Sequence, residues 1–400
     1  MTDSSPRKAQ SLLSTLRCAA EDQSQIRGLT HRFYRYPARF SPTFAGAAIK
    51  AFSRPGQVVL DPFMGGGTTI VEAMVRGRRA IGNDLNSLAL FVSRVKTTLL
   101  DKRDRTALIH WASETVPMLN YQRVVPELEQ IVCARRTFNL TLPIARPIKK
   151  VIALALHSLS TLPSTQAKNF ARCALLNVGQ WALNGRKRQT SLCEFRHRLQ
   201  TTIFEMLAGL GELQSRLERV PKYAAAPELM GVNAARLARQ KPFADGLRAD
   251  LVVTSPPYPG IHMLYHRWQV DGRRETPAPY WIAACNDGQG AAFYNFADRR
   301  DAAADAYFAE SLRTLHTLRA VMNDRALIVQ MVAFADPRVQ LPRYLDNMML
   351  AGFQEVRGGA QYGSKSNRRI WREVPRRRWH ASRKGHLNSS REVVLLHRVV

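Results

Sequence analysis

Short apolar runs alternate with amphipathic segments along the chain, and this alternation predicts most of the fold. Strand-type runs cover residues 57–60 and 79–84, and apolar positions recur at helical spacing over 68–75. Three glycines, 65–67, separate the first run from this helix, and Thr68 is its expected N-cap. A strand, a glycine turn, a helix and a second strand in under thirty residues predict a parallel α/β unit.

The same alternation continues towards the C-terminus. The predicted elements are a short helix from Pro42, strands at 249–254, 326–332 and 392–397, and helices at 302–321 and 341–350. Buried-type strands that alternate with helices predict an α/β fold, a mostly parallel Rossmann-like sheet with helices on both faces.

A helical stretch interrupts this pattern between about residues 100 and 225. Its clearest helix begins at Ser191, which forms a capping-box pattern with Glu194, and apolar residues follow at spacings of three and four as far as Leu217. Gly209 and Gly211 are expected to weaken the middle of this helix. We therefore divide the chain into a flexible N-terminal segment (1–28, with a short helix near 12–20), a first α/β half (29–100), a helical insertion (101–225) and a second α/β half with a basic C-terminal region (226–400).

Charge adds a partner to this picture. The chain carries 59 Lys and Arg against 31 acidic residues, a formal net charge of +28. Such an excess attracts polyanions through their phosphates, although it also serves solubility. No run reaches the roughly 18 apolar residues of a membrane span, and the five cysteines lack the spacing of a zinc site. We expect a cytoplasmic, nucleoid-associated protein of bacterial type, with no metal.

The glycine turn carries an acidic residue, Asp61, where a pyrophosphate requires neutral or positive surroundings. A cofactor with a positive centre and an amino group suits this turn better. Asp84 follows 23 positions later at the end of the next strand, where a carboxylate commonly accepts both ribose hydroxyls. The pair predicts a nucleoside cofactor, and a purely structural turn is the alternative.

The segment Asp61-Pro62-Phe63-Met64-Gly65-Gly66-Gly67-Thr68-Thr69 resembles the cofactor-binding motif of amino-methylating DNA methyltransferases. The resemblance implies a class I methyltransferase fold and S-adenosylmethionine as cofactor. Tyr36-Pro37-Ala38-Arg39-Phe40 is similar to the family's methionine-side motif, and Asn233 stands where the family often has an acidic residue. The cofactor-binding residues expected in total are Tyr36, Phe40, Asp61, Phe63, Gly65, Gly67, Thr68, Asp84 and Asn233.

The segment Ser255-Pro256-Pro257-Tyr258 follows a predicted strand, at the edge where α/β sheets bind ligands. The lone pair of a base amino group is delocalised into the ring, so its methylation requires acceptors that hold the N–H bonds. The Ser255 hydroxyl and the Pro256 carbonyl are the expected acceptors, on a loop that two prolines stiffen. Tyr258 is expected to stack on an extruded base. A proline-rich turn without function is the alternative.

With Thr254, this segment looks most like the cytosine-N4 branch of the family, since Asp-Pro-Pro-Tyr is commoner in adenine-amino enzymes. The resemblance implies methylation of cytosine N4 in double-stranded DNA by base flipping and direct displacement. The alternatives are an adenine-N6 DNA methyltransferase, then an RNA base-amino methyltransferase, and last a non-catalytic DNA-binding protein. A restriction endonuclease of the same system is a candidate partner.

Two basic regions are candidates for DNA contact, and the helical insertion is a candidate target-recognition region. The first region, a predicted loop over 259–300, mixes basic and aromatic residues, and a structural lid over the cofactor explains it equally well. The second, 357–391, has eleven Lys or Arg against one acidic residue, Glu373. The DNA-contacting residues expected are Arg267, Arg273, Arg274, Lys365, Arg368, Arg369, Arg376, Arg377 and Arg378.

Overall fold

The computed structural model describes residues 6–37, 40–120, 136–221, 226–259, 267–272, 274–288, 294–296, 302–356, 369–374 and 391–400. The strands are β1 (Val58–Asp61), β2 (Arg79–Asn83), β3 (Glu228–Met230), β4 (Ala249–Thr254), β5 (Trp268–Val270), β6 (Arg274–Thr276), β7 (Met322–Ala333), β8 (Phe353–Glu355), β9 (Ile370–Glu373) and β10 (Arg391–Val399). The α-helices are α1 (Pro6–Glu21), α2 (Pro42–Phe52), α3 (Thr68–Met74), α4 (Ser87–Thr97), α5 (Lys102–His110), α6 (Arg146–Ser158), α7 (Thr165–Leu183), α8 (Leu192–Leu217), α9 (Ala278–Ala283), α10 (Ala302–Ala320) and α11 (Pro337–Leu350).

One large sheet organises the described residues, in the strand order β3-β2-β1-β4-β7-β10-β8, with β9 beside β10. The neighbouring strands β3, β2, β1, β4 and β7 pair in parallel, whereas β10 runs antiparallel to β7, β8 and β9. The order reverses between β1 and β4, which leaves a crevice outside their carboxyl ends for a ligand. The class I Rossmann-like sheet predicted from the sequence is confirmed.

Alternating residues of the central strands enter two separate cores. Val59 and Leu251 face a core that includes residues of α2, α3, α4 and the helices α6 to α8. Leu60 and Val252 face the opposite core, which includes residues of α10 and α11. Because successive side chains of a strand point to opposite faces, a sheet covered on both sides requires apolar residues at every position. The prediction of helices on both faces is therefore confirmed.

The long insertion helix α8 begins and ends close to the predicted positions. Ser191 caps it and forms the capping box with Glu194, and the predicted apolar stripe is buried from Phe195 to Leu217. Gly209 has a role that the sequence did not indicate. A Cβ at this position would lie 2.2 Å from the carbonyl oxygen of Leu29, so the glycine permits a close backbone approach.

The N-terminal helix α1 is longer than the short helix expected near 12–20. Its residues Leu16 and Ala20 are almost fully buried, and α1 contacts α2 and β9. Apolar residues at helical spacing pack this segment against the sheet and stabilise it. The polar composition of the segment hid this spacing in the sequence.

Two local predictions are corrected. Thr68 is the first residue of α3 and does not cap it, because Gly67 occupies the N-cap position in the left-handed conformation. The region 259–300, predicted as one loop, contains the β5–β6 hairpin and α9. Trp268 of this hairpin is buried, and its indole nitrogen donates to the Tyr34 hydroxyl at 3.0 Å. Strands of three residues are too short to produce a recognisable period. The described helices include none with the length and apolarity that crossing a membrane requires.

Candidate active site

A cavity of about 200 Å³ lies at the carboxyl ends of β1, β2 and β4. It joins segments that are nearly 200 residues apart in the sequence, because these strands are neighbours in the sheet. The predicted site residues that line it are Tyr36, Phe40, Asp61, Phe63, Gly65, Thr68, Asp84, Asn233, Ser255 and Pro257. The structure thus brings the glycine turn, the methionine-side segment and the Ser-Pro-Pro-Tyr segment to one site.

The glycine turn holds Asp84 in place at the edge of this cavity. The amide of Gly65 donates to one carboxylate oxygen of Asp84 at 2.9 Å, and the amide of Asn86 donates to the other at 2.8 Å. Gly65 and Gly67 have φ angles of 47° and 72°, a left-handed conformation that favours glycine. Backbone amides therefore fix the Asp84 carboxylate before any ligand binds.

Two buried side chains of α4 donate hydrogen bonds to carbonyl oxygens of the glycine turn, and neither was predicted from the sequence. Lys96 is fully buried, and its ammonium donates to the carbonyl oxygen of Gly66 at 2.6 Å. The Ser93 hydroxyl donates to the carbonyl oxygen of Gly65 at 3.1 Å. Their positions within an ordinary amphipathic helix gave no signal of this role.

Replacing Gly67 with alanine is expected to destabilise the turn, because the added Cβ would lie 2.6 Å from the Ser93 hydroxyl oxygen. We expect a loss of about 2–4 kcal/mol in the free energy of unfolding, measured with denaturant, from left-handed strain together with overpacking. Gly185→Ala is the matched control, since Gly185 has a similar φ of 73° but nothing within 4 Å of the added Cβ. Equal losses in the two variants would contradict the close packing at Gly67.

Asp61 and Asp84 carry the electrostatics of the site. Burial raises the pKa of each carboxyl to about 6, and the nearby Asp84 charge adds to the rise at Asp61. Hydrogen bonds oppose the rise, since Asp61 accepts from the Thr254 hydroxyl at 2.7 Å and from the Phe63 amide at 3.1 Å. Neither carboxylate has an ion-pair partner within the described part of the chain. Two desolvated acceptors at one cavity fit a ligand that brings hydroxyl groups and positive charge.

Cofactor affinity is expected to fall as the pH decreases through about 6, because a protonated carboxyl loses both its charge and acceptor capacity. From about pH 7 to about pH 5, we expect the dissociation constant for S-adenosylmethionine to rise at least about tenfold, measured by titration calorimetry. The ligand-free protein responds in the opposite direction. A carboxyl whose pKa is raised in the folded state above its ordinary value of 3.8 contributes stability that is complete below that value and is lost as the pH rises through about 6. An affinity independent of pH in this range would contradict the role of the two carboxylates.

Asn233 lies beside a carboxylate that the sequence analysis did not identify. Asn233 lines the cavity, caps the short 3₁₀ helix Ala234–Arg239, and donates to Glu310 of α10 at 3.2 Å. Glu310 also lines the cavity. The family often has an acidic residue after the third strand, where this chain has Asn233. Here a carboxylate lies beside that position, but it belongs to a helix residue 77 positions further along the chain.

The Ser-Pro-Pro-Tyr segment divides between the cavity and the core. Ser255 and Pro257 line the cavity, whereas Pro256 and Tyr258 do not. Only 5% of Tyr258 is exposed, its ring lies in the core below the sheet, and its hydroxyl lies 2.8 Å from the Ser255 hydroxyl oxygen. Tyr258 thus lies outside the cavity lining, and the stacking of an extruded base on its ring stays a prediction.

Other aromatic residues reach the cavity instead. Phe63 contacts Phe296 edge to face with 5.5 Å between ring centres, and Tyr294 also lines the cavity. Tyr294 hydrogen-bonds through its hydroxyl to Tyr280 at 3.2 Å. Tyr294 and Phe296 follow a glycine-containing segment without regular periodicity, so neither was predicted from the sequence, whereas Phe63 was.

The predicted DNA-contacting residues have different surroundings. The Arg267 guanidinium lies 3.3 Å from Asp287 and 3.9 Å from Glu275, and both nitrogens of the Arg369 fork bind Glu355. Both arginines are half-buried in ion pairs, and DNA contact by them stays a prediction. Arg274 is exposed, at 3.7 Å from Asp271. Six residues lie outside the described residues: Arg273, Lys365, Arg368, Arg376, Arg377 and Arg378.

The strand order of the sheet is that of the class I methyltransferase fold. A glycine turn lies between Asp61, at the end of β1, and Asp84, directly after β2. In these proteins the cavity at this edge binds S-adenosylmethionine, and the family and fold imply the same methyl donor here. The family model described as DNA methylase matches residues 11–90, which include Tyr36, Asp61 and Asp84. The predicted resemblance to the amino-methylating DNA methyltransferases is confirmed for this cofactor-binding part. Ser255 lies outside the matched residues.

Two relatives show how far this likeness extends. The chain is 33% identical over 105 residues to the type II methyltransferase M.MvaI of Kocuria varians, covering 24% of this chain and 23% of the relative. It is 26% identical over 124 residues to the type II methyltransferase M.MjaII of Methanocaldococcus jannaschii, covering 30% of this chain and 23% of the relative. The matched part thus spans under a quarter of each relative's length.

Two solved structures resemble the chain distantly. TrmN from Thermus thermophilus has a TM-score of 0.33 at 12% identity and covers 90% of this chain and 49% of its own. The rRNA methyltransferase aviRa from Streptomyces viridochromogenes has a TM-score of 0.31 at 12% identity and covers 92% and 89%. Because these TM-scores are low, the fold class rests on the strand order of this chain.

Proposed function

We propose that the protein transfers a methyl group from S-adenosylmethionine to the exocyclic amino group of a base in DNA, and that this base is cytosine, methylated at N4. One observation carries the proposal. Ser255, an acceptor that suits a base amino group, lines the same cavity as the glycine turn and Asp84. A methyl donor and a base amino group held there would be adjacent.

The residues that would hold the cofactor are those around the two carboxylates. Asp84 is placed to accept hydrogen bonds from the hydroxyl groups of a ribose, since the amides of Gly65 and Asn86 already fix its two oxygens. Tyr36 and Phe40 supply apolar walls, and the Tyr36 hydroxyl accepts from Asn86 at 3.0 Å. Glu310 and Asn233 provide polar groups that suit an adenine edge. When bound, the cofactor supplies an electrophilic methyl group on a positively charged sulfur.

The chain's part in the transfer is to make the amino group nucleophilic. Acceptors that hold the N–H bonds draw the amino nitrogen out of conjugation with the ring and leave its lone pair for the methyl group. Ser255 provides one acceptor at the cavity. The loop that carries it is held by the Tyr307 hydroxyl, which donates to the Pro257 carbonyl oxygen at 2.7 Å. In the proposed direct displacement the N–CH₃ bond would form as the S–CH₃ bond breaks, S-adenosylhomocysteine would leave as a neutral thioether, and the extra proton on the nitrogen would pass to solvent, with no covalent enzyme intermediate.

Double-stranded DNA as substrate is supported by the net charge of +28, which favours phosphate binding, and by the match to the DNA methylase model. A buried cavity requires the target base to leave the duplex. We further propose that the helical insertion 101–225 contributes to target recognition, since it supplies exposed basic residues beside the hairpin. The amide of Gly185 donates to the carbonyl of Gln269 at 2.8 Å, so the basic turn 186–188 adjoins β5.

Mass spectrometry of nucleosides tests this proposal. Purified protein is incubated with methyl-labelled S-adenosylmethionine and either unmethylated duplex DNA or RNA, and the nucleic acid is then digested. Labelled N4-methylcytosine from DNA is the expected product. Labelled N6-methyladenine would retain the site and its chemistry but contradict the choice of base, and label confined to RNA would contradict the DNA substrate.

A further inference from the structure

A hydrogen-bonded chain runs from Ser255 through the core to the last strands of the sheet. The Ser255 hydroxyl lies 2.8 Å from the Tyr258 hydroxyl and 3.0 Å from the carbonyl oxygen of Met331. The Tyr258 hydroxyl donates to Glu392 at 3.1 Å, and Glu392 accepts from Arg372 at 2.6 Å. Glu392 is 3% exposed. The cavity is thus connected to a buried ion pair between β9 and β10.

These contacts determine where the proton of Ser255 resides. A hydroxyl has one proton and two lone pairs. When Tyr258 donates to Ser255, the serine proton goes to the carbonyl of Met331, which only accepts. When Tyr258 donates to Glu392, the serine proton goes to Tyr258 or to Met331. In each arrangement the proton is bound within the protein, and Ser255 presents lone pairs to the cavity.

We propose that Tyr258, held by Glu392 and Arg372, is a positioning residue that acts with the Met331 carbonyl to keep Ser255 a hydrogen-bond acceptor towards the base. This inference rests on the proposed amino-group methylation and specifies how that site selects its substrate. A base position that brings N–H donors is matched by Ser255, whereas a carbonyl oxygen would meet another acceptor. This role requires the hydroxyl of Tyr258 and leaves the ring free for packing.

The role of the tyrosine hydroxyl predicts a loss of turnover in Tyr258→Phe, which retains the ring and its packing. We expect kcat to fall about threefold or more, because the Met331 carbonyl is then the one remaining acceptor of the two that hold the serine proton and Ser255 points its proton to the cavity more often. The KM for DNA and the affinity for S-adenosylmethionine should change less than about twofold. Methyl transfer is measured with labelled cofactor under saturating conditions.

Tyr344→Phe is the matched control. Tyr344 is also buried, but its hydroxyl binds Gln330, which does not line the cavity, whereas that of Tyr258 contacts Ser255, which does. Tyr258→Phe loses the contacts to Ser255 and Glu392, and Tyr344→Phe loses the bond to Gln330, so both variants should lose thermal stability, whereas only Tyr258→Phe should lose kcat. In the Ser255→Ala background, single-turnover transfer with excess enzyme should show no further loss from Tyr258→Phe.

The outcomes separate this inference from the proposed function. A wild-type protein that methylates DNA, together with a Tyr258→Phe variant whose kcat falls no further than that of Tyr344→Phe, would overturn the positioning role alone. Full additivity of the Ser255 and Tyr258 losses would also overturn it. A wild-type protein that methylates neither DNA nor RNA would instead overturn the proposed function on which the inference depends.

Discussion

Replacing Ser255 with alanine is expected to lower kcat for methyl transfer by about 10²–10³-fold, the range seen when one preorganised hydrogen-bonding group is removed from a reacting centre. The affinity for S-adenosylmethionine should remain unchanged, because the cofactor contacts that we propose come from the glycine turn and the ends of β1 and β2. The measurement is single-turnover methylation of duplex DNA, with cofactor binding followed separately by calorimetry.

The matched control for Ser255→Ala is Ser191→Ala, which removes the cap of α8 far along the chain. This control should lose about 1 kcal/mol in the free energy of unfolding and retain its activity. A Ser255→Ala variant as active as this control would contradict the acceptor role of Ser255. A joint loss of activity and cofactor affinity would indicate instead that the substitution deforms the cavity.

Replacing Asp84 with asparagine is expected to weaken S-adenosylmethionine binding by about 10–100-fold, since hydrogen bonds to a charged group contribute about 1.5–3 kcal/mol. The two oxygens of Asp84 accept from the Gly65 and Asn86 amides. An asparagine offers one oxygen, so its NH₂ group would face one of these N–H donors. The dissociation constant is measured by titration calorimetry near neutral pH, where both buried carboxyls are mainly ionised.

Asp245→Asn is the matched control for Asp84→Asn, because the exposed Asp245 takes part only in a surface pair with Lys241 at 3.7 Å. Exposed pairs of this kind contribute little, and we expect an unchanged dissociation constant. A similar constant for Asp84→Asn and wild type would contradict the assignment of Asp84 to the cofactor.

The sequence predicted the parts of the site that depend on local pattern. Asp61 and Asp84 were found because each follows an apolar strand at a fixed distance from the glycine turn, and β4 has the predicted bounds. The order of the strands then determines that these ends meet Ser255. Local chemistry and parallel-sheet topology were sufficient for that prediction.

The missed parts depend on contacts between distant segments. Glu310 and Lys96 lie on helices whose own sequences give no reason to single out these residues, and each reaches the site only through tertiary packing. The orientation of Tyr258 also could not be predicted, since its partner Glu392 lies 134 positions away on β10. The family resemblance suggested a stacking ring, whereas the buried hydroxyl network holds that ring in the core.

The N4-methylcytosine content of genomic DNA tests the central claim most directly. The wild-type chain and the Ser255→Ala variant are each expressed in a bacterial host without DNA methyltransferases of its own, and the hydrolysed genomic DNA is analysed by mass spectrometry. We predict N4-methylcytosine with the wild-type chain and its loss with Ser255→Ala. Genomic DNA without a methylated amino group in either strain, despite equal amounts of folded protein, would contradict the account.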